Sequence, residues 1–353
     1  MPRPSQLSNP CTSGAALQTV YTHDAIGRLN LINSGGTNYL SGVTYNAAHQ
    51  PESFSYGNSV AADPGYNSRM QLSYLKYSKG STKLLELTYN YAHPNGGNNG
   101  QITGIIDTTG TQEAGRTVNY TYDTMARLKT AQTTGSTGFP QWSLNWVYDR
   151  YGNRSQQTGT GGAPSMQLTI SQSTNRVTAI GGVGTTYDAA GNMTKDDINC
   201  YTYNAENRMK ELKNSACTSV VASYLYGPEG LRWRRTLGAT TTHSVYAGSK
   251  VIAEYTNSYS LGSPTKEYIY AGSQLIATVS GNTKKYFHQD HLSTRVVTKS
   301  NGQVDRTFGH YPFGESWYET GVADKWKFTT YERDVESGLD YAILRFNAPR
   351  LGR

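Results

Sequence analysis

The chain is poor in the residues that ordinary globular cores and catalytic centres use. It has seven phenylalanines, three cysteines, and a charged fraction of only 16% in 353 residues. Three cysteines, Cys11, Cys200 and Cys217, are too few for a disulfide framework, so free buried thiols are the expectation. Cys200 and Cys217 flank one hairpin and meet only if the loop after Lys213 folds back. The start, Met1 to Cys11, carries Pro2, Pro4 and Pro10 without an apolar segment, which argues against a signal peptide or membrane span there. No helical pattern of any length competes with the alternation described next.

What is abundant is tyrosine and glycine, 28 and 37 residues, and both fall into a repeat. Its form is Tyr, then Asp or Asn, two variable residues, Gly or Asn, a polar residue, and often Leu or Met. Clear copies are Tyr148, Asp149, Gly152, Asn153; then Tyr187, Asp188, Gly191, Asn192, Met193; then Tyr203, Asn204, Asn207, Arg208, Met209. Looser ones are Tyr122, Asp123, Ala126, Arg127, Leu128, then Tyr45, Asn46, His49, and then His23, Asp24, Gly27, Arg28, Leu29. Asp or Asn at the first position of a type I turn caps the backbone, and Gly or Asn three residues on takes the left-handed conformation that forms a bulge. Each copy is therefore a strand, a tight turn and a returning strand. The spacing between copies is irregular, which suits constant turns on one edge, variable loops on the other, and a long strip of antiparallel hairpins.

Runs such as Asn119 to Tyr122 and Tyr201 to Tyr203 alternate with period two, giving one aromatic and one polar face. With a hydrophobic fraction of 36%, buried surface has to come from amphipathic rings. The net charge of +7 raises nucleic acid as a partner, but the basic residues are scattered apart from Arg232, Arg234, Arg235 and the pair Lys284, Lys285, which excludes it from the expectation. Arg28, Arg127 and Arg208 read as stacking partners for tyrosines. Near Tyr286 the character of the chain changes, and three domains are expected: a poorly structured start, 1–20; a hairpin region, 21–285; and a distinct C-terminal region, 286–353.

That last region carries three blocks. Phe287 to Thr298 contains His288, Asp290, His291 and Arg295; Tyr311 to Glu315 contains Pro312, Phe313 and Gly314; and Lys327 to Arg345 contains Glu332, Arg333, Asp334, Gly338, Leu339, Asp340 and Tyr341. Repeats and blocks together resemble the YD-repeat, or Rhs, proteins, bacterial polypeptides related to the shell-forming C component of Tc toxins and more distantly to teneurins. The blocks are similar to that family's H-x-D-H-L-G-S-x-R-x-V-T, PFG and K-F-T-G-x-E-R-D-x-E-T-G-L-D-Y-x-x-A-R segments. The glycine after Leu292 is absent here.

The resemblance implies an all-β fold, a spiralling strip of hairpins forming a partial hollow shell with an Rhs-associated core at the C-terminus. It also implies containment of a C-terminal toxin or effector polypeptide, contact with secretion-apparatus proteins, and a secreted or cell-surface location. In the family the core cuts its own chain with two aspartates and an arginine, a pairing suited to activating water and protonating an amide. Arg345 matches the arginine. Ala348 stands at the first acidic position, and the sequence ends before the second, so no catalytic residue is expected and Arg345 is a vestige. Neither metal nor cofactor is expected: on a strand His288 and Asp290 face one way and His291 the other. A self-cleaving core with its acid supplied from elsewhere, and a carbohydrate-binding repeat protein with tyrosine platforms, remain as rivals.

Overall fold

The computed structural model describes residues 6–8, 18–94, 96–258, 263–322 and 324–353. Cys11 and most of the start lie outside the described residues. The chain is almost wholly antiparallel β-sheet, with two short 3-10 turns, Glu113–Arg116 and Phe328–Thr330, among the described residues. It divides into two compact units. The first comprises Met1–Trp142, Ser260–Gly309 and Ser316–Asp324, and the second Ser143–Tyr259, His310–Glu315 and Lys325–Arg353.

In each unit the strands pair in chain order, every strand antiparallel to the next. The first unit runs so from Gln18–His23 to Leu128–Thr133, and again from Lys266–Ala271 to Val304–His310. Both runs contribute to one apolar cluster that includes Ile32, Tyr56, Leu85, Leu87, Ile276 and Tyr286. The second unit runs from Ser143–Tyr148 to Val183–Gly184 and from Thr186–Tyr187 to Lys250–Thr256. It also holds a three-stranded sheet of Glu332–Asp334, Leu339–Ala342 and Arg345–Asn347.

The repeat explains this order. In the hairpin Tyr148 to Arg154, the Asp149 carboxylate accepts the N–H groups of Tyr151 and Asn153, both at 2.9 Å, while Gly152 N–H closes the turn on Asp149 C=O at 3.1 Å. The same pattern holds at Asp24, Asn46, Asn67, Asp123 and Asn204. The residue after the turn cannot stay in register, so the ladder shifts at the motif tyrosine: Val147 faces Gln156, but Tyr148 faces Arg154.

The bulge leaves a carbonyl available, and the tyrosine of the following hairpin takes it. Tyr45 donates its hydroxyl to Leu29 C=O at 2.6 Å and Tyr91 to Leu72 at 2.8 Å, while Tyr122 makes the same kind of bond to Ile102 C=O, in the loop before strand Gly104–Asp107, at 2.7 Å. In the second unit Tyr187, Tyr203 and Tyr226 donate to Val177, Met193 and Met209, each at 2.8 Å. Phenylalanine would fill the same space and leave the carbonyl unpaired, which accounts for the strong bias towards tyrosine.

One expectation is corrected. Cys200 and Cys217 form a disulfide, with Cα atoms 5.4 Å apart, instead of remaining free thiols. The Asn214 side chain accepts the N–H groups of Thr218 at 2.9 Å and Ser219 at 3.3 Å, which curls the loop and returns Cys217 over the end of the hairpin. Closing such a loop constrains the unfolded chain by about 3 kcal/mol.

Replacing Tyr203 with Phe is expected to cost about 1 kcal/mol of stability, since it removes one hydrogen bond and keeps the ring. Tyr151→Phe, at an exposed turn tip, is expected to cost less than about 0.5 kcal/mol. Denaturant unfolding of the two variants checks the difference, and equal losses would contradict the role given to the repeat hydroxyls.

Candidate functional site

The turns form ladders along a sheet edge. Asn153 donates to Asn175 Oδ1 at 2.6 Å, Asn192 to Asn207 Oδ1 at 2.8 Å, and Arg208 to Gly230 C=O at 2.9 Å. The polar residue just after each turn thus reaches the next turn. The arginines there also lie over the next tyrosine, Arg28 over Tyr45 at 4.5 Å and Arg208 over Tyr226 at 5.7 Å. Gly152, Gly191 and Asn207 hold φ of 85°, 92° and 59°. In looser copies His49, Met70 and Ala126 adopt the same left-handed conformation. Met70 belongs to a turn, Asn67 to Gln71, that the sequence pattern did not reveal because methionine is a poor turn signal.

Gly281, outside the motif, reads from sequence as a position where a side chain matters less than at Gly191. Its φ is +56°, so it too sits in the left-handed region, though nearer the conformation an L-residue tolerates. Valine at Gly191 is expected to destabilise by roughly 1–2 kcal/mol, and valine at Gly281 by a smaller but measurable amount. Thermal unfolding of both variants tests the order.

In the first C-terminal block, His288 is fully buried between Tyr56 and Tyr77, with Nε2 2.7 Å from Thr298 Oγ1. Burial pushes its pKa down to about 3, so the ring is neutral. Asp290 caps the adjoining turn through Leu292 N–H at 2.8 Å and Ser293 N–H at 2.7 Å, and pairs with Arg295 at 2.9 Å. Without the glycine the turn closes from Asp290 N–H to Ser293 C=O, one residue shorter than in the repeats. His291 packs edge-on against Tyr89. Among the described residues no group of three or more His, Cys, Asp or Glu is placed to hold a metal ion.

The second block is itself a turn of the repeat type. Gly314 N–H bonds Tyr311 C=O and Tyr311 N–H bonds Glu315 C=O, both at 2.8 Å, with Pro312 and Phe313 at the tip. Gly314 has φ +99°, and a Cβ there would lie 2.5 Å from the Phe328 ring. Phe313 underlies the Arg154 guanidinium at 4.3 Å, and Arg154 donates to the carbonyls of Pro349 at 3.2 Å and Arg350 at 2.9 Å. Burial holds Glu315 above the ordinary carboxylate range.

The third block is ionic. Arg232 grips Asp334 with both terminal nitrogens, one at 3.0 Å, and lies 3.2 Å from Glu332. Arg235 pairs with Glu336, and Lys325 with Glu254 and Glu332. On the opposite face of the same strand Arg333 pairs with Asp340 and donates to Gly314 C=O at 2.9 Å. Leu339 and Tyr341 are buried, and Gly338 turns the chain with φ +69°. Arg345 is exposed on the last strand. Ala348 is 8% exposed and packs in the apolar cluster of Leu168, Leu212, Leu339 and Leu351.

The family described as teneurin YD-shell matches residues 33–330. The chain belongs to that family. Among curated proteins it is similar to the tRNA3(Ser)-specific nuclease WapA of Bacillus spizizenii, 24% identical over 226 residues, and to the tRNA nuclease WapA of Bacillus subtilis, 23% over 216 residues. Each match takes 59% of this chain and 9% of the relative's length. Among solved structures it is similar to a Photorhabdus luminescens Tc holotoxin pore with TM-score 0.78 at 19% identity, covering 99% of this chain and 20% of that one. A TcdB2–TccC3 crystal structure without its hypervariable C-terminal region gives 0.76 at 18% identity, also over 99% of this chain and 20% of that one. These likenesses show the YD-shell fold over 99% of the chain.

Thr330 stands where the resembled segment has glycine, and it holds φ +61° beside Thr329 at +52°. Left-handed backbone is costly for a β-branched residue. Thr330→Gly is therefore expected to stabilise the protein by up to about 1 kcal/mol in chemical denaturation, and a loss of stability would contradict this reading of the turn.

Proposed function

We propose that this chain is a non-catalytic part of the wall of a secreted or surface-displayed bacterial toxin, enclosing an effector polypeptide carried C-terminal to it. Residues 286–353 would serve as the associated core of that wall, and no nucleic acid, metal or cofactor takes part. The chain spans 9% of the curated relatives' length, so the nuclease activity in their names is said of them and is not carried over. The Cys200–Cys217 disulfide supports an oxidising compartment. No helix among the described residues is long and apolar enough to cross a membrane.

The observation that carries the non-catalytic reading is the setting of residue 348. A two-carboxylate cleavage needs both acids at one water, and this position offers a methyl group packed among leucines. Asp340, the neighbouring acid, is engaged by Arg333. Arg345 makes no ion pair with a carboxylate among the described residues.

Sugar binding, the second reading, is favoured by Tyr151. It is 53% exposed at a turn tip, beside a groove of about 330 Å³ that Ser155, Ser171 and Gln172 help line. Glycan-array signal that disappears with Tyr151→Ala would support it over the shell reading.

The test of the non-catalytic reading is a fusion that extends this chain with a family-type tail bearing the second aspartate and a reporter domain. Purified material is expected to run as one uncleaved band on a denaturing gel, and Ala348→Asp in the same fusion is expected to release the reporter. A cut with Ala348 in place would show that another acid does the work.

A further inference from the structure

The Cys200–Cys217 disulfide joins two turns of the second unit, one of which has the repeat's form. Asn214 N–H bonds Ser219 C=O at 3.0 Å and Cys217 N–H bonds Asn214 C=O at 2.8 Å, so Cys217 stands where the repeats carry Gly or Asn, with φ of 63°. Cys217 is exposed, as are its neighbours from Ser215 to Ser219, whereas Cys200 is 3% exposed. A small solute therefore reaches the bond from the Cys217 side.

The other end of the bond is the root of a turn that holds two C-terminal segments of the same unit. Cys200 directly follows the turn 196–199, and the strands flanking that turn, Met193–Lys195 and Cys200–Tyr203, meet in register at Lys195 and Cys200. So short a ladder leaves the turn dependent on what fixes Cys200. Within it the buried Asp196 carboxylate caps Ile198 N–H at 2.8 Å and Asn199 N–H at 2.6 Å. The other carboxylate oxygen accepts the Tyr201 hydroxyl and the Arg350 guanidinium, each at 2.7 Å. Arg350 also pairs with Asp197 at 2.7 Å, and Asn199 donates to Ser337 C=O at 3.2 Å.

We propose that this disulfide is a redox-sensitive clasp, which while oxidised keeps the turn 196–199 in place, and with it Ser337 and Arg350, and which a small thiol such as glutathione opens. The proposal goes beyond the wall reading and stands whether or not an effector is enclosed. The thiolate of one small thiol attacks Sγ of Cys217, the exposed partner, and the S–S electron pair leaves with Cys200. A second thiolate then attacks the small-thiol sulfur of the mixed disulfide and frees Cys217. The two protons given up by the small thiols end on the two cysteines, two electrons have passed to the protein, and the thiols depart joined as one disulfide. Arg154 still grips the carbonyls of Pro349 and Arg350, so the C-terminal segment loosens without detaching. Cytosols are kept reducing by thiols and extracellular surroundings are not, so the clasp distinguishes the two.

Hydrogen exchange on the intact chain, at one pH and without denaturant, tests this. Millimolar glutathione is expected to lower amide protection about tenfold in 196–201 and around Ser337 and Arg350, with strands Leu72–Lys79 and Thr82–Asn90 unchanged. Cys217→Gly supplies a residue suited to the left-handed position, and is expected to show the loosened pattern with or without thiol. Loosening confined to the loop 214–219, or spread over the whole second unit, would overturn the proposal, as would full protection in Cys217→Gly. If that variant fails to fold, the unsubstituted protein decides by itself. Under glutathione, iodoacetamide is expected to alkylate Cys200 and Cys217 without denaturant, and a bond that resists reduction until denaturant is added would overturn the clasp.

Discussion

The hydrogen bond from a tyrosine hydroxyl to the carbonyl freed at the previous hairpin's bulge is the contact on which the rest of this structure depends. It turns a local irregularity into a connection. A bulge alone would leave a carbonyl without a ladder partner, and a ring alone would pack without a preferred position. Joined, they tie each hairpin to the one before it, and the same contact recurs from Tyr45 to Tyr226. Each such bond is worth about 1 kcal/mol, small singly, but repeated along both units and backed by the burial of the ring.

The hairpins and their turns were legible in the sequence because their determinants lie within five residues: an Asx cap, a left-handed position and an alternating flank. Where the left-handed residue is Met70 the same turn forms with no visible signal, and where Gly227 replaces the capping residue only Tyr226 and Gly230 mark it. The tyrosines read from the sequence as packing groups, and nothing local names the carbonyl that each binds. That partner lies 10 to 20 residues away, on a strand whose register depends on the bulge.

The C-terminal blocks were legible as a family resemblance and opaque as physics. Arg232 and Asp334 are 102 positions apart, and no spacing rule links them. Nor does the sequence show that strands Gln274–Ser280 and Thr283–Gln289 are buried across long runs, which is why His288, Gln289 and Thr298 look like surface residues until Tyr56, Tyr77 and Asn58 are found against them. The disulfide was missed for a related reason: whether Cys217 reaches Cys200 depends on the Asn214 side chain, which curls the intervening loop.

Pairing in strict chain order has a consequence for how such a protein is made. Every strand in a run finds its partner in the segment synthesised just before it, so loop closure is short at each step and no strand waits for a distant mate. A chain emerging slowly, from a ribosome or through a narrow conduit, can lay down hairpins one after another, each ending in an edge that the next strand covers. Vectorial growth of this kind lets the sheet be completed strand by strand while the far end of the chain is still being delivered.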